Sequence, residues 1–319
     1  MLARVAENIY WMARYLERAE NSARIINVNG NLLLDLPEGY APGWLPLVDI
    51  SGNRDLFDSL GRRPDEREVV QFLIAEAQNP GSIAGSLRMA RENARTLREV
   101  LPTSVWELLN EFCSTFRDNL STGLTKRGRF GFLRNLLSAL QSLGGMIEGT
   151  MNRNDAYTFM MLGRYLERAD MTSRIVDVRS AQLLTRDTQD LRPFESIQWM
   201  SVLKSLSGYQ MYRLRMRTRV SRSDVLAFLL RDAEFPRACQ FCLLEAEHAL
   251  GGLPRSEEPL QLLGKARRFI DAAELPSLSQ AGLHELIDAI QLHVNGVHEG
   301  IARTYFPSPQ GGERPDING

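Results

Sequence analysis

Apolar residues recur every three to four positions along most of the chain, the period of helices with one side turned to a core. In the first segment Val5, Ile9, Met12, Tyr15, Leu16, Ala19, Ala23 and Ile26 fall on one side of a helical wheel. Glu7, Tyr10, Arg14, Glu17, Arg18, Asn21 and Arg24 fall on the other. Further amphipathic runs predict helices over residues 69–77, 82–100, 104–119, 133–150, 225–233, 237–250, 259–273 and 279–306. No run alternates with period two for long enough to make a strand. The chain therefore reads as all-α. Asp155 stands where it can cap a helix. Residues 36–43 and 251–259 read as Pro/Gly loops, 126–131 as a basic turn, and 307–319 as a disordered tail.

The pattern also repeats. Residues 14–28 read RYLERAENSARIINV and residues 164–178 read RYLERADMTSRIVDV. Trp44 with Ser51 and Gly52 matches Trp199 with Ser207 and Gly208; residues 68–80 match 224–236, and 139–149 resemble 289–300. Collinear matches at a nearly constant offset point to a tandem duplication. Two helical repeat units are expected, 1–152 and 153–306, packed as one body with pseudo-twofold character.

Composition narrows the setting. With Lys+Arg 38 against Asp+Glu 39, the near-neutral balance argues against a nucleic-acid or membrane-surface binder. Three cysteines, an odd and small number, suggest a reducing compartment. The charged N-terminus has no signal-like apolar core, and no apolar stretch is long enough to span a bilayer. A cytoplasmic location is the expectation.

The charges of the repeated helix are the first candidate chemistry. Each copy carries an Arg, a Glu-Arg pair three and four residues on, and a further Arg: Arg14, Glu17, Arg18, Arg24 and Arg164, Glu167, Arg168, Arg174. Within one helix Glu17 can orient Arg14, Glu20 can pair with Arg24, and Asp170 with Arg174. A solvated face of such pairs, each contributing about 0.3–0.5 kcal/mol, is the plain reading. Against it, these charges persist between copies whose other faces diverged. That favours a buried ion-pair seam between the copies or a ligand site, since the planar guanidinium grips carboxylate or phosphate with two hydrogen bonds.

A second stripe, Arg88, Arg91, Arg95 and Arg98, occupies one helix face in the first unit. The aligned positions of the second unit are Leu244, Glu247, Gly251 and Pro254, so the stripe is not repeated. Guanidiniums with little acid on their own face repel one another; they need acidic neighbours from another helix, an acidic partner or an anionic ligand. The basic run Arg213, Arg215, Arg217, Arg219 and Arg222 lacks the aromatic platforms of a nucleic-acid site. Cys239 and Cys242 form a lone CxxC, which suits core packing better than zinc. Glu245 and His248 have the spacing of a di-iron half-site, but Met89 and Glu92 stand where its mate would be. No metal is expected. With no Walker loop or dinucleotide fingerprint, no cofactor is implied.

The run Phe159-x-x-Leu162-Gly163-Arg164-Tyr165-Leu166-Glu167-Arg168-Ala169-Asp170 resembles the bacterial alpha-E family, a helical family named for its Glu-Arg motif. Residues 86–110, with Ala-Arg-Glu-Asn-Ala-Arg and then Trp-Glu, are similar to that family's pattern as well. The resemblance covers nearly all of the chain apart from the tail. It implies genomic company with circularly permuted ATP-grasp ligase-like proteins, transglutaminase-like peptidases and sometimes a proteasome-like peptidase, and hence peptide or amide-bond metabolism. Two readings follow. In one, the chain is a helical partner of an ATP-grasp-type amide ligase, and Arg14, Arg18, Arg24, Arg164, Arg168, Arg174, Arg88, Arg91 and Arg95 bind that partner or an anionic carboxylate or peptide. In the other it is itself an enzyme acting on a carboxylate or peptide, with Glu17 or Glu167 as general acid/base. A third use of the charges, a purely structural seam, needs no ligand.

Overall fold

Ala, Leu, Glu and Arg dominate two long segments that contain no proline, and such residues lose little freedom in a helix. In the computed structural model, which describes residues 1–35, 43–184, 192–217 and 219–306, these segments are the longest helices, α1 (Ala3–Asp35) and α9 (Asp155–Leu184). Between them run α2 (Pro46–Ser51), α3 (Arg54–Ser59), α4 (Glu66–Ile74), α5 (Ile83–Arg95), α6 (Thr103–Asp118), α7 (Leu120–Leu124) and α8 (Lys126–Thr150). After α9 come α10 (Arg192–Ser205), α11 (Tyr209–Met216), α12 (Arg222–Arg231), α13 (Cys239–Leu250), α14 (Glu257–Ala272) and α15 (Gln280–Tyr305). Among the described residues there is no strand. Among the described residues no helix is long and apolar enough to cross a membrane.

α1 and α9 lie side by side and parallel: Tyr10 meets Gly163, Glu17 meets Arg168 and Asn29 meets Arg179. Gly163 sets the spacing. A Cβ on it would come 2.2 Å from the Tyr10 carbonyl oxygen, so a side chain there would force the two backbones apart. On its other sides α1 packs against α5 and α8, and α9 packs against α13 and α15. Both long helices are thus enclosed, with Ile9, Met12, Ile25, Leu162, Leu166 and Ile175 fully buried.

The enclosure overturns the plain reading of a solvated face and agrees with the buried alternative that the retained charges favoured. The polar side of α1 is not solvated: Tyr10 and Asn21 are fully buried and Glu17 nearly so, because that side faces α9. Other expectations shift by local chemistry. Residues 126–131 are not a turn but the first turns of α8, begun by Thr125, whose Oγ1 accepts from the Gly128 amide. The cap of α9 is Asn154 rather than Asp155; its Oδ1 accepts from the amides of Ala156 and Tyr157. α5 ends at Arg95, short of residue 100. Helices α2, α3, α7 and α11 are too short to show a period, and α10, though 14 residues long, has no clear apolar face in its sequence. Most of the 36–43 loop and all of the 307–319 tail lie outside the described residues.

Candidate functional site

The two Glu-Arg pairs meet across the α1–α9 contact, and each binds the other. Glu167 accepts at Oε2 from Arg14 Nε (2.7 Å) and Arg18 Nη2 (3.0 Å), and at Oε1 from Arg18 Nε (2.6 Å). Glu17 accepts at Oε1 from Arg168 Nε (3.0 Å) and at Oε2 from Arg168 Nη2 (2.8 Å). Arg14 is therefore oriented by Glu167 across the interface, and not by Glu17 on its own helix as the wheel suggested. Arg237, on the turn leading into α13, adds a fourth cation, the second on Glu17. Its Nη1 donates to Glu17 Oε1 (2.7 Å) and Asn21 Oδ1 (2.9 Å), and its Nη2 to Glu20 Oε1 (2.7 Å). Glu20 also pairs with Arg24, whose Nη1 reaches the Ser207 hydroxyl. Asp170 pairs with Arg174 at 2.9 Å. The seam closes on Arg179, which donates from Nη2 to Asn29 Oδ1.

Burial and charge oppose each other along this seam. Glu167 is 1% exposed and Glu17 4%. Burial by itself would raise both carboxyls; the guanidiniums of Arg18 and Arg14 overcome it and hold Glu167 at about 2. Glu17 lies well below the usual carboxylate range, with Arg168 and Arg237 winning over burial. Both are thus anions at neutral pH and very weak bases, a poor match to general acid/base work near pH 7. Among the described residues Arg179 has no carboxylate partner and its Nε and Nη1 have no hydrogen-bond partner, and burial pulls its pKa down to about 10.

Two clefts flank the seam. One, of about 440 Å³, opens between α1, α8 and α9 and is lined by Arg24, Arg164, Arg168 and Arg237 beside Leu140 and Met160. The other, of about 460 Å³, opens between α1, α9 and α15 and is lined by Arg14, Arg18 and Arg174 with Asp170, Asp288 and His298. Arg164 turns from the seam to Glu148 of α8 (2.9 Å). His298 is stacked on Tyr10 and hydrogen-bonded to its hydroxyl at 2.9 Å. Burial, then the charge of Arg14, lowers its pKa to about 4, which keeps the ring neutral.

The stripe on α5 does not stay together. Arg88 and Arg91 face a separate cleft against α6. Arg95 is turned to Glu92 (3.2 Å), and Arg98, past the end of the helix, stacks on Trp106 at 4.6 Å. Cys239 and Cys242 are fully buried. Asp177, His284 and Asp288 bring one ligand-type atom each within 4.8 Å of one another. The two ring nitrogens of His284 face different carboxylates, Nδ1 toward Asp177 (2.9 Å) and Nε2 toward Asp288 (3.6 Å), which is the geometry of a charged clamp. Sequence reasoning missed Arg237, Glu148, Tyr10 and His298. Arg237 left one trace: it follows residues 224–236, which resemble 68–80 in sequence, and Gly81 stands at the matching place.

A seam built from reciprocal Glu-Arg pairs agrees with the comparison to known families. A family profile described as a predicted alpha-helical domain with a conserved ER motif, Alpha-E, matches residues 1–306. The chain belongs to the Alpha-E family. This Alpha-E chain is also similar to an uncharacterized protein of Mycobacterium bovis and to uncharacterized proteins of two Mycobacterium tuberculosis strains, each 23% identical over 98% of the chain. It spans 38% of the length of these relatives. No solved structure matches it.

Proposed function

We propose that this Alpha-E chain is a helical accessory protein of an ATP-grasp-type amide (peptide) ligase system in the cytoplasm, and that the clefts beside its Glu-Arg seam hold an acidic partner segment or a carboxylate or peptide substrate. The observation that carries this reading is how the charges are spent. Glu17, Glu20 and Glu167 are consumed by seam arginines, while guanidinium edges such as Arg18 Nη1 and Arg164 Nη2 face the clefts with nothing to donate to among the described residues. Donors without acceptors in a partly enclosed space favour an anion. Chemistry on the substrate then falls to a partner, or to another part of a longer polypeptide; the matched region is a minority of the mycobacterial relatives. A transglutaminase-like or proteasome-like peptidase would act in the same system. The second reading, an enzyme with Glu17 or Glu167 as general acid/base, fits less well, because both carboxylates are locked as anions.

The same reading includes the origin of the site. Units 1–152 and 153–306 are taken as tandem copies that meet about a pseudo-twofold axis between α1 and α9. The reciprocal pairing of Glu17 with Arg168 and of Glu167 with Arg18 supports this. So does a second swap: Arg24 reaches Ser207, and its 150-residue counterpart Arg174 lies against Gly52, where a Cβ would come 2.7 Å from Arg174 Nη1.

The test is affinity capture from the native host with tagged wild type and Arg164→Ala/Arg174→Ala. Among the described residues these arginines pair with Glu148 and Asp170 and not with Glu17 or Glu167, so the reciprocal Glu-Arg pairs stay whole. An ATP-grasp-type ligase should come down with wild type and be depleted with the variant. Absence of such a ligase with wild type sinks the partnership; equal recovery with both proteins sinks the role of the clefts.

A further inference from the structure

The arginines on α5 that the seam does not use lead to a separate site. Arg88 and Arg91 of α5 and Arg117 of α6 line one side of a cleft of about 460 Å³. Arg88 and Arg117 are exposed, and among the described residues neither has a carboxylate within ion-pair distance or a hydrogen-bond partner. Arg91 is tethered: its Nε donates to Asn110 Oδ1 at 2.8 Å, and its contact to Glu92 is loose at 3.6 Å. The one carboxylate in the lining, Glu76, is already taken. One of its oxygens pairs with Arg62 and the other accepts from the Gln78 amide (3.2 Å). The cleft therefore holds free donors and spent acceptors, with three guanidiniums that repel one another until an anion arrives.

Most of its remaining lining is apolar, including Ala75, Ala77, Ala84, Leu87, Phe116 and Leu120, with Ser114 as a further polar group. We propose that this cleft is a binding site for a small ligand that carries a carboxylate on an apolar body. The tethered, planar fork of Arg91 suits a planar carboxylate, and Arg88 and Arg117 complete its neutralisation. A free phosphate would leave the apolar wall empty, whereas an acyl amino acid or short apolar peptide end fills it. The volume is in the range of small-molecule sites. Cys113 on the floor hydrogen-bonds to the Leu87 carbonyl at 3.8 Å, and burial pushes its thiol up to about 11. It is a neutral thiol and no nucleophile at pH 7, so the site holds its ligand without reacting with it. The second unit has Leu244 and Glu247 at the aligned positions, which makes this a single site, independent of the seam clefts.

Calorimetric titration tests the assignment with N-acetyl-L-leucine, its uncharged amide, and inorganic phosphate as probes. The proteins are wild type, Arg88→Ala/Arg117→Ala, and Arg213→Ala, which removes an exposed arginine far from the cleft in sequence. Melting curves check that all three are folded. N-acetyl-L-leucine should bind wild type and Arg213→Ala alike, and the double variant at least about tenfold more weakly, as expected for the loss of charge-assisted hydrogen bonds. The amide should not bind. The site is refuted if N-acetyl-L-leucine shows no saturable heat, or binds the double variant as well as wild type. Tighter binding of phosphate than of N-acetyl-L-leucine overturns the carboxylate-on-apolar-body assignment.

Discussion

Glu17 and Glu167 belong to the same motif and are held differently. Glu167 is gripped by two arginines of one helix, Arg14 and Arg18. Glu17 is gripped by Arg168 and by Arg237, which comes from outside the helix pair. The residue that would complete the mirror image, Arg164, pairs with Glu148 instead. The flanking helices explain the difference. Beside Arg14 stands His298 of α15, neutral in its buried position, and a neutral ring cannot draw a guanidinium from a carboxylate. At the position 150 residues earlier α8 carries Glu148, an anion, and Arg164 follows it. The motif thus specifies a carboxylate buried between arginines; the third helix decides which arginines.

The largest effect expected from breaking this arrangement is Arg168→Ala. It leaves Glu17 buried with one cation and should cost about 3–5 kcal/mol in denaturant unfolding, the usual scale for a broken buried pair. Arg215→Ala removes a half-exposed guanidinium and leaves buried Asp232 still accepting from the Glu234 and Phe235 amides, so it should cost less, about 1 kcal/mol. Equal losses would mean that the seam is not the stabilising element described. Next comes pH. Glu167 sits at about 2 when folded, below its ordinary value of 4.5, so its stabilisation is complete above about pH 4.5 and is lost as pH falls toward 2. Glu167→Gln should flatten that acid limb by roughly 3 kcal/mol, at about 1.4 kcal/mol per pH unit; an unchanged limb would contradict the ion-paired carboxylate.

The flanking-helix account is sharpened by two smaller changes. His298→Glu places an anion beside Arg14 and should destabilise by about 1 kcal/mol, since a lost charged hydrogen bond is only partly replaced. Glu148→Gln, at an exposed rim, should cost less than that. The reverse order in thermal melts would show that α8 and α15 do not direct the arginines. The smallest signal is the imidazole of His284, raised by its hydrogen bond and charge contact with Asp177. Being raised, it adds stability below the unfolded-state value near 6.5 and loses it as pH climbs through the folded one. Its proton resonances should titrate above that value in wild type and fall back in Asp177→Asn.

The residues of the seam were legible in the sequence because the repeat singled out Glu17, Arg18, Glu167 and Arg168. Their contacts were not. A helical wheel assigns a polar face to water, and nothing within residues 3–35 says that the polar face of α1 is covered by a helix starting at Asp155. Arg237 escaped because Gly81 stands at the matching place after residues 68–80, so no recurring charge pointed to it. The stripe on α5 was read as four equivalent arginines, but the helix ends at Arg95 and the cleft takes only Arg88 and Arg91. The all-helical class and the family were plain, since they rest on period and motif and need no knowledge of what touches what.

The parallel pairing of α1 and α9 has a consequence for how the chain is made. Glu17 and Arg168 are 151 positions apart. At a synthesis rate of about 5–20 residues per second, roughly ten to thirty seconds separate the emergence of the one from that of the other. Through that interval α1 leans mainly on α5 and α8, with smaller contacts to α2 and α4, and Glu17 has none of its arginines. Contacts this distant in sequence also slow folding, because the intervening loop must close before they form. The ribosome thus releases a first half whose most buried carboxylate is still waiting for its cations.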